Sequence, residues 1–163
     1  MSGLKVLACL RARSINKSVE DYRAPANCVM SNKRVLVLVN PVGGNGHAKR
    51  ICDNIVTPML RTAKCEVTVT KTTHSNFAKE LGETIANHLL DSDEVQFDAV
   101  IVCSGDGMFS ETMNGFVGTI LNSSRTPPEK RELVHRLAFA PIPCGSSNGL
   151  ATSGALWNTC WHK

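Results

Sequence analysis

Apolar, β-branched runs that break off into glycine clusters recur along this chain, and that recurrence restricts the fold more than any other feature. "RVLVLVN" (34–40) is followed by "PVGGNG", "FDAVIVC" (97–103) by "SGDG", and "LAFAPIP" (137–143) by "CGSSNG". A short continuous apolar run of this kind is the pattern of a strand buried on both faces. Between the runs the period changes. Ile51, Ile55 and Met59 recur at four-residue spacing, which predicts one face of a helix that Pro58 kinks or restarts. "EVTVTKT" (66–72) alternates like a strand. "SNFAKELGETIANHLL" (75–90) predicts a helix capped by Ser75 or Asn76, with Phe77, Leu81, Ile85 and Leu89 as its buried stripe. Met113, Phe116, Val117, Ile120 and Leu121 trace another amphipathic helix, and residues 122–136 read as a polar connection with a turn or two of helix after Pro128.

Strands alternating with helices predict an α/β fold, a parallel sheet with helices on its faces. Ligands of such sheets bind outside the carboxyl ends of the strands. The glycine clusters after Asn40, Cys103 and Pro143 all fall at such ends, so three loops of one chemical character are expected on one rim.

Composition narrows the partners. The net charge is +4, but residues 1–34 hold seven Lys/Arg against two Asp/Glu, leaving eleven against twelve beyond. The basic character therefore belongs to a leader, and the core is no nucleic-acid surface. Cys9, Cys28, Cys52, Cys65, Cys103, Cys144 and Cys160 form no C-x-x-C pair, which reads as reduced thiols in a cytoplasmic protein. No apolar run approaches the roughly 20 residues that span a bilayer. The five His residues are dispersed without metal-ligand spacing.

The glycine loops carry the chemistry. "NPVGGNGHAK" (40–49) is neither a Walker A loop, lacking Gly-Lys-Ser/Thr, nor a dinucleotide fingerprint, since Lys49 stands where the third Gly is wanted. A phosphate cradle and a plain strand-to-helix turn both fit it. In "CSGDGMFSETMNG" (103–115) the helical periodicity after Gly107 disfavours a hairpin. Gly105 and Gly107 then leave the Asp106 carboxylate at a strand end, able to hold Mg²⁺ or accept a hydroxyl proton. Glu111 lies about one turn into the helix, either serving the site or as an ordinary first-turn acid. Asn114 and Gly115 are read as structural, Gly115 allowing close helix packing. Ser146, Ser147 and Asn148 could bind a ligand or cap a helix, and Cys103 and Cys144 read as small buried apolar residues.

Taken in order, "NPVGGNG", "SGDGMFSETMNG" and "PIPCGSSNGLA" resemble the catalytic domain shared by diacylglycerol, sphingosine and ceramide kinases, over about Arg34 to Ala151 and most closely the sphingosine kinases. The resemblance implies a Rossmann-like three-layer sandwich, the N-terminal lobe of the NAD kinase and diacylglycerol kinase type, with ATP and Mg²⁺ bound across the glycine loops. It implies Asn40, Pro41 and Val42 at the nucleotide, with Thr72, Thr73, His74, Ser75 and Asn76 at its base or ribose. Ser104, Gly105, Asp106, Gly107 and Glu111 would sit at the phosphates and acceptor hydroxyl, with Asp106 catalytic. Gly145, Ser146 and Ser147 would complete the pocket. The implied acceptor is a lipid hydroxyl, a sphingoid base before ceramide or diacylglycerol, reached by peripheral membrane contact. Val42 stands where many sphingosine kinases place a basic residue. Ser147 occupies a position often taken by Gly, which predicts crowding or a strained backbone there. The expected organisation is a flexible leader at 1–33, an incomplete catalytic domain at 34–153 lacking the second, β-rich lobe, and a tail at 154–163. A fragment that binds nucleotide or a partner without turnover, and an NAD kinase, are the competing readings.

Overall fold

In the computed structural model, which describes residues 32–44 and 46–151, the apolar runs become four strands: β1 (Arg34–Val39), β2 (Glu66–Lys71), β3 (Ala99–Ser104) and β4 (Ala138–Pro143). All pair in parallel, in the order β2-β1-β3-β4. β1 and β3 are central. Only Arg34 of β1 is exposed, which is why that run shows no alternation. The edge strands are less buried: in β2 Val67 and Thr70 are half-buried and the other four residues are exposed. Pro141 and Pro143 lie on the β4 edge, where a residue without an N–H costs no ladder bond.

Side chains alternate across a strand, so β1 feeds two cores. Val35, Val37 and Val39 pack with Ile101, Cys103, Ala140 and Ile142 against the helical run 47–62. Leu36 packs with Val100 and Val102 against α3 (Phe77–Ser92), α4 (Asp106–Asn122) and α5 (Pro127–His135). The result is a three-layer α/β sandwich.

The helical run consists of α1 (His47–Ile51), a π-helical turn (Cys52–Val56) and α2 (Thr57–Thr62). Pro58 has no N–H to return to the carbonyl four residues earlier, and the widened turn absorbs the missing bond. Its buried residues are Ala48, Cys52, Val56, Thr57 and Leu60. The expected Ile51, Ile55 and Met59 flank this stripe half-buried, because the smaller side chains let the helix approach the sheet. In α3 the buried set is Ala78, Gly82, Ile85, Ala86 and Leu89. Asn76 precedes α3 in a left-handed conformation, φ 67°, and its side chain makes no capping bond. Leu121, expected in the α4 stripe, is 56% exposed, whereas Phe116 and Ile120 are fully buried.

α3 and α4 touch backbone to backbone. A Cβ on Gly82 would collide with the Thr112 carbonyl oxygen, and one on Gly115 with that of Lys79. α5 starts with a capping box in which Thr126 and Glu129 satisfy each other's backbone donors. At the amino end of the sheet, Asp98 accepts from Lys33 Nζ at 3.0 Å and from the Arg34 N–H at 2.8 Å. Burial pushes the Asp98 carboxyl up, but those bonds and the two positive charges outweigh it and hold the group below its ordinary value. Asn32 donates its N–H to the Lys64 carbonyl at 2.9 Å. The remainder of the expected leader, residues 1–31, and the tail at 154–163 lie outside the described residues.

Candidate functional site

The first glycine loop is built around Asn40. Its side-chain oxygen accepts the Val42 N–H at 3.1 Å, and its carbonyl accepts the Gly43 N–H at 3.1 Å. This turn throws Val42 outward, 79% exposed. Gly44 follows with φ 57°, and a Cβ there would collide with the Cys144 carbonyl oxygen. Glycine is thus required twice, by its backbone angle and by contact with the loop after β4.

The second and third loops meet just as closely. A Cβ on Gly145 would lie 2.5 Å from the Gly105 Cα, and one on Gly105 would lie 2.8 Å from the Ser147 carbonyl oxygen. Cys144 donates its N–H to the Ser104 carbonyl at 3.2 Å, continuing the β3–β4 pairing into the loops. Asn148 closes the third loop, its oxygen accepting from Gly145 N–H at 3.1 Å and its amide donating to the Gly145 carbonyl at 2.6 Å.

Asp106 is the first residue of α4 and is partly exposed. Its N–H donates to the Ser147 carbonyl at 3.0 Å. Its carboxylate accepts the Gly149 N–H at 2.6 Å, the Leu150 N–H at 3.2 Å and the Ser147 hydroxyl at 3.3 Å. Among the described residues no cation pairs with it. Ser147 is not among the residues with positive φ, so the strained backbone expected at that position does not occur; its hydroxyl is taken up by Asp106 instead.

Between the first and third loops lies an open cleft of about 450 Å³, lined by Val42, Gly44, His47, Cys144, Gly145 and Ser146. It sits at the carboxyl end of the sheet, beside the β1/β3 boundary at which the connections reverse direction. Of the residues singled out from sequence, Val42, Gly145 and Ser146 line it. Ser104, Gly105, Asp106 and Ser147 form the adjoining contact, and Asn40 and Pro41 the base of the first turn. Gly107 has open space where a Cβ would be, and Glu111 is exposed on α4.

Thr72 to Asn76 line none of the cleft. Thr72 reaches the same rim by donating its N–H to the Val39 carbonyl at 3.0 Å. Beyond it, the His74 ring bonds the Thr73 hydroxyl at 2.9 Å and Glu80 Oε2 at 2.9 Å, and it packs edge-on against Phe77.

Sequence reasoning passed over His47 and Gly44 as cleft walls. It also missed the amides of Gly149 and Leu150 as partners of Asp106. The position of His47 at the start of α1, directly after the glycine cluster, was the available signal; backbone amides carry none. Cys144 is buried, as expected of a small apolar residue, and it also lines the cleft. Cys52, Cys103 and Cys144 lie together in the core below the cleft. Hydrogen bonding to Cys144 and Cys52, together with burial, pushes the Cys103 thiol up. The Cys103 thiol in turn draws Cys52 down to about 7 and lowers Cys144.

Among the described residues no helix is long and apolar enough to cross a membrane. The sequence profile of the diacylglycerol kinase catalytic domain matches residues 34–160. Ceramide kinase of Mus musculus is 33% identical over 119 residues, 71% of this chain and 21% of that protein. Sphingosine kinase 2 of Homo sapiens is 33% identical over 118 residues, 72% of this chain and 16% of its own length. Sphingosine kinase 1 of Homo sapiens is 34% identical over 121 residues, 74% of this chain and 27% of its own. The chain thus spans only about a quarter or less of these relatives. Because that profile spans the parallel sheet and its three glycine loops, the chain belongs to the diacylglycerol kinase catalytic domain family, in company with lipid kinases.

Proposed function

We propose that this chain forms the nucleotide side of an ATP-dependent lipid kinase, with a sphingoid base as the favoured acceptor and ceramide or diacylglycerol behind it. The observation that carries the reading is the mutual contact of Gly44, Gly105 and Gly145 with neighbouring loop backbone, beside a carboxylate that has no cationic partner among the described residues. Side-chain-poor corners let backbone N–H groups approach phosphate oxygens. The triphosphate lies in the cleft against Val42, Gly145 and Ser146, with Ser104 and Gly105 at its inner end and Asn40 and Pro41 shaping the turn. Thr72, Thr73, His74, Ser75 and Asn76 face the base or ribose from the end of β2, and Glu111 supports the rim from α4.

In the reaction the lipid hydroxyl oxygen forms a bond to the γ-phosphorus, the bond from that phosphorus to the bridging oxygen breaks, and ADP leaves. The hydroxyl proton passes to an Asp106 carboxylate oxygen. Among the described residues no group of three or more His, Cys, Asp or Glu side chains could hold a metal ion. Mg²⁺ usually arrives on phosphate oxygens and needs only one or two carboxylates, a demand that Asp106 fits. When bound, it would neutralise charge on the transferring phosphoryl group. Access to a lipid acceptor implies peripheral contact with a membrane, at the cytoplasmic side.

Binding without turnover is the second reading, favoured because three donors already occupy the Asp106 carboxylate. Calorimetry with ATP·Mg²⁺ and transfer of labelled phosphate to sphingosine, ceramide and diacylglycerol test both. ATP binding with transfer to sphingosine supports the first reading, and ATP binding without any transfer supports the second. Absence of ATP binding, or displacement of ATP by NAD, removes both.

A further inference from the structure

Asp106 shares four hydrogen bonds with the third glycine loop. After Cys144 bonds Ser104, Gly145 turns inward to the side chain of its own loop residue Asn148. Four hydrogen bonds then link the loop to one residue: the Asp106 N–H to the Ser147 carbonyl, and the Ser147 hydroxyl, Gly149 N–H and Leu150 N–H to the Asp106 carboxylate. A carboxylate offers about four lone-pair positions, so three donors fill most of them. The loop so held contains Gly145 and Ser146, which form one wall of the cleft. It also presses Gly145 onto Gly105 with no room for a Cβ, so a shift of either loop changes the width of the cleft.

We propose that Asp106 is a positioning residue for nucleotide binding as well as a participant in transfer: its carboxylate, reinforced by the Ser147 hydroxyl, latches residues 145–150 so that Gly145 and Ser146 stand where the phosphates need them. The proposal rests on the nucleotide reading above. A residue that only accepted the hydroxyl proton would leave ATP affinity unchanged when altered; a latch does not. Asp106→Asn keeps the size of the side chain but turns an amide NH₂ toward donors that need an acceptor. Ser147→Ala removes one of the four bonds and touches no proton-transfer step, and Ser147→Thr restores the hydroxyl.

The test uses the 163-residue chain, following amide exchange by mass spectrometry and ATP·Mg²⁺ binding by calorimetry. Asp106→Asn should speed exchange across 144–151 at least tenfold, leave β1 and β3 unchanged, and weaken ATP binding at least tenfold. Ser147→Ala should weaken binding a few-fold, and Ser147→Thr should recover it. Wild-type exchange at 144–151 in Asp106→Asn overturns the latch, as does faster exchange there with unaltered ATP affinity. Should Asp106→Asn loosen the whole chain, Ser147→Ala decides: exchange rising only at 144–151 supports the latch, and no rise overturns it. If the wild-type chain binds no ATP, the nucleotide reading fails on its own, and the exchange data alone still judge whether Asp106 holds the loop.

Discussion

The two ends of the sheet each carry an aspartate, and the two are held in opposite ways. Asp98, ahead of β3, pairs with Lys33 and Arg34, whereas the carboxylate of Asp106, just after β3, has among the described residues only backbone amides and a hydroxyl as partners. A carboxylate committed to cations ties strands together and has little left to offer a ligand. One held by main-chain donors at a loop junction keeps a net negative charge beside a cleft, eased by hydrogen bonds and not by a cation among the described residues. On the proposed function, the sheet separates stability at its amino end from chemistry at its carboxyl end.

The sharpest way to break this contrast is to neutralise each acid. Asp106→Asn should lower phosphate transfer to sphingosine by at least ~100-fold, the usual scale for a lost general base, with a small change in melting temperature. A variant that turns over like the wild type would remove Asp106 from the mechanism. Next in size, Gly145→Ala drives a methyl group into Gly105 and should cost about 1–3 kcal/mol, together with ATP binding, in denaturant titration and calorimetry. Gly115→Ala, at the α3–α4 contact, should cost a similar amount and leave ATP affinity alone once the protein is folded. If both glycine variants damage ATP binding equally, the cleft is not a separate feature of the carboxyl end.

Asp98→Asn should destabilise by about 1 kcal/mol with unaltered ATP binding, because its partners are half exposed and solvent screens them. The pH dependence has a definite sign. A folded-state carboxyl held below its ordinary value contributes stability above the unfolded value of about 3.9, and that contribution is lost as pH falls through the folded value. Chemical denaturation from pH 6 to pH 2 should therefore show a smaller acid loss in Asp98→Asn than in the wild type. An identical loss in both would mean the Lys33–Asp98 pair adds nothing.

Most of the fold was legible because it rests on local regularities. The unbroken apolar run 34–39 marked a central strand, and the glycine clusters marked the carboxyl ends. The errors lie where packing, not periodicity, chooses the buried face. A helix that must approach the sheet buried Cys52 and Val56 in preference to Ile51 and Ile55, and Leu121 was left in solvent beyond the last buried turn at Ile120. At the site, residue types picked out Asp106, Val42, Gly145 and Ser146, whereas the amides that hold Asp106 have no side-chain signature.

By itself the amino-acid order determined the alternation of strands and helices, the glycines at three strand ends and the acid among them, since each depends on neighbours within a few residues. Tertiary structure alone decided that these loops touch and that the Gly149 and Leu150 amides close on Asp106. Those outcomes depend on strand order and register, which bring residues some forty to one hundred positions apart into contact, and no local pattern records that distance.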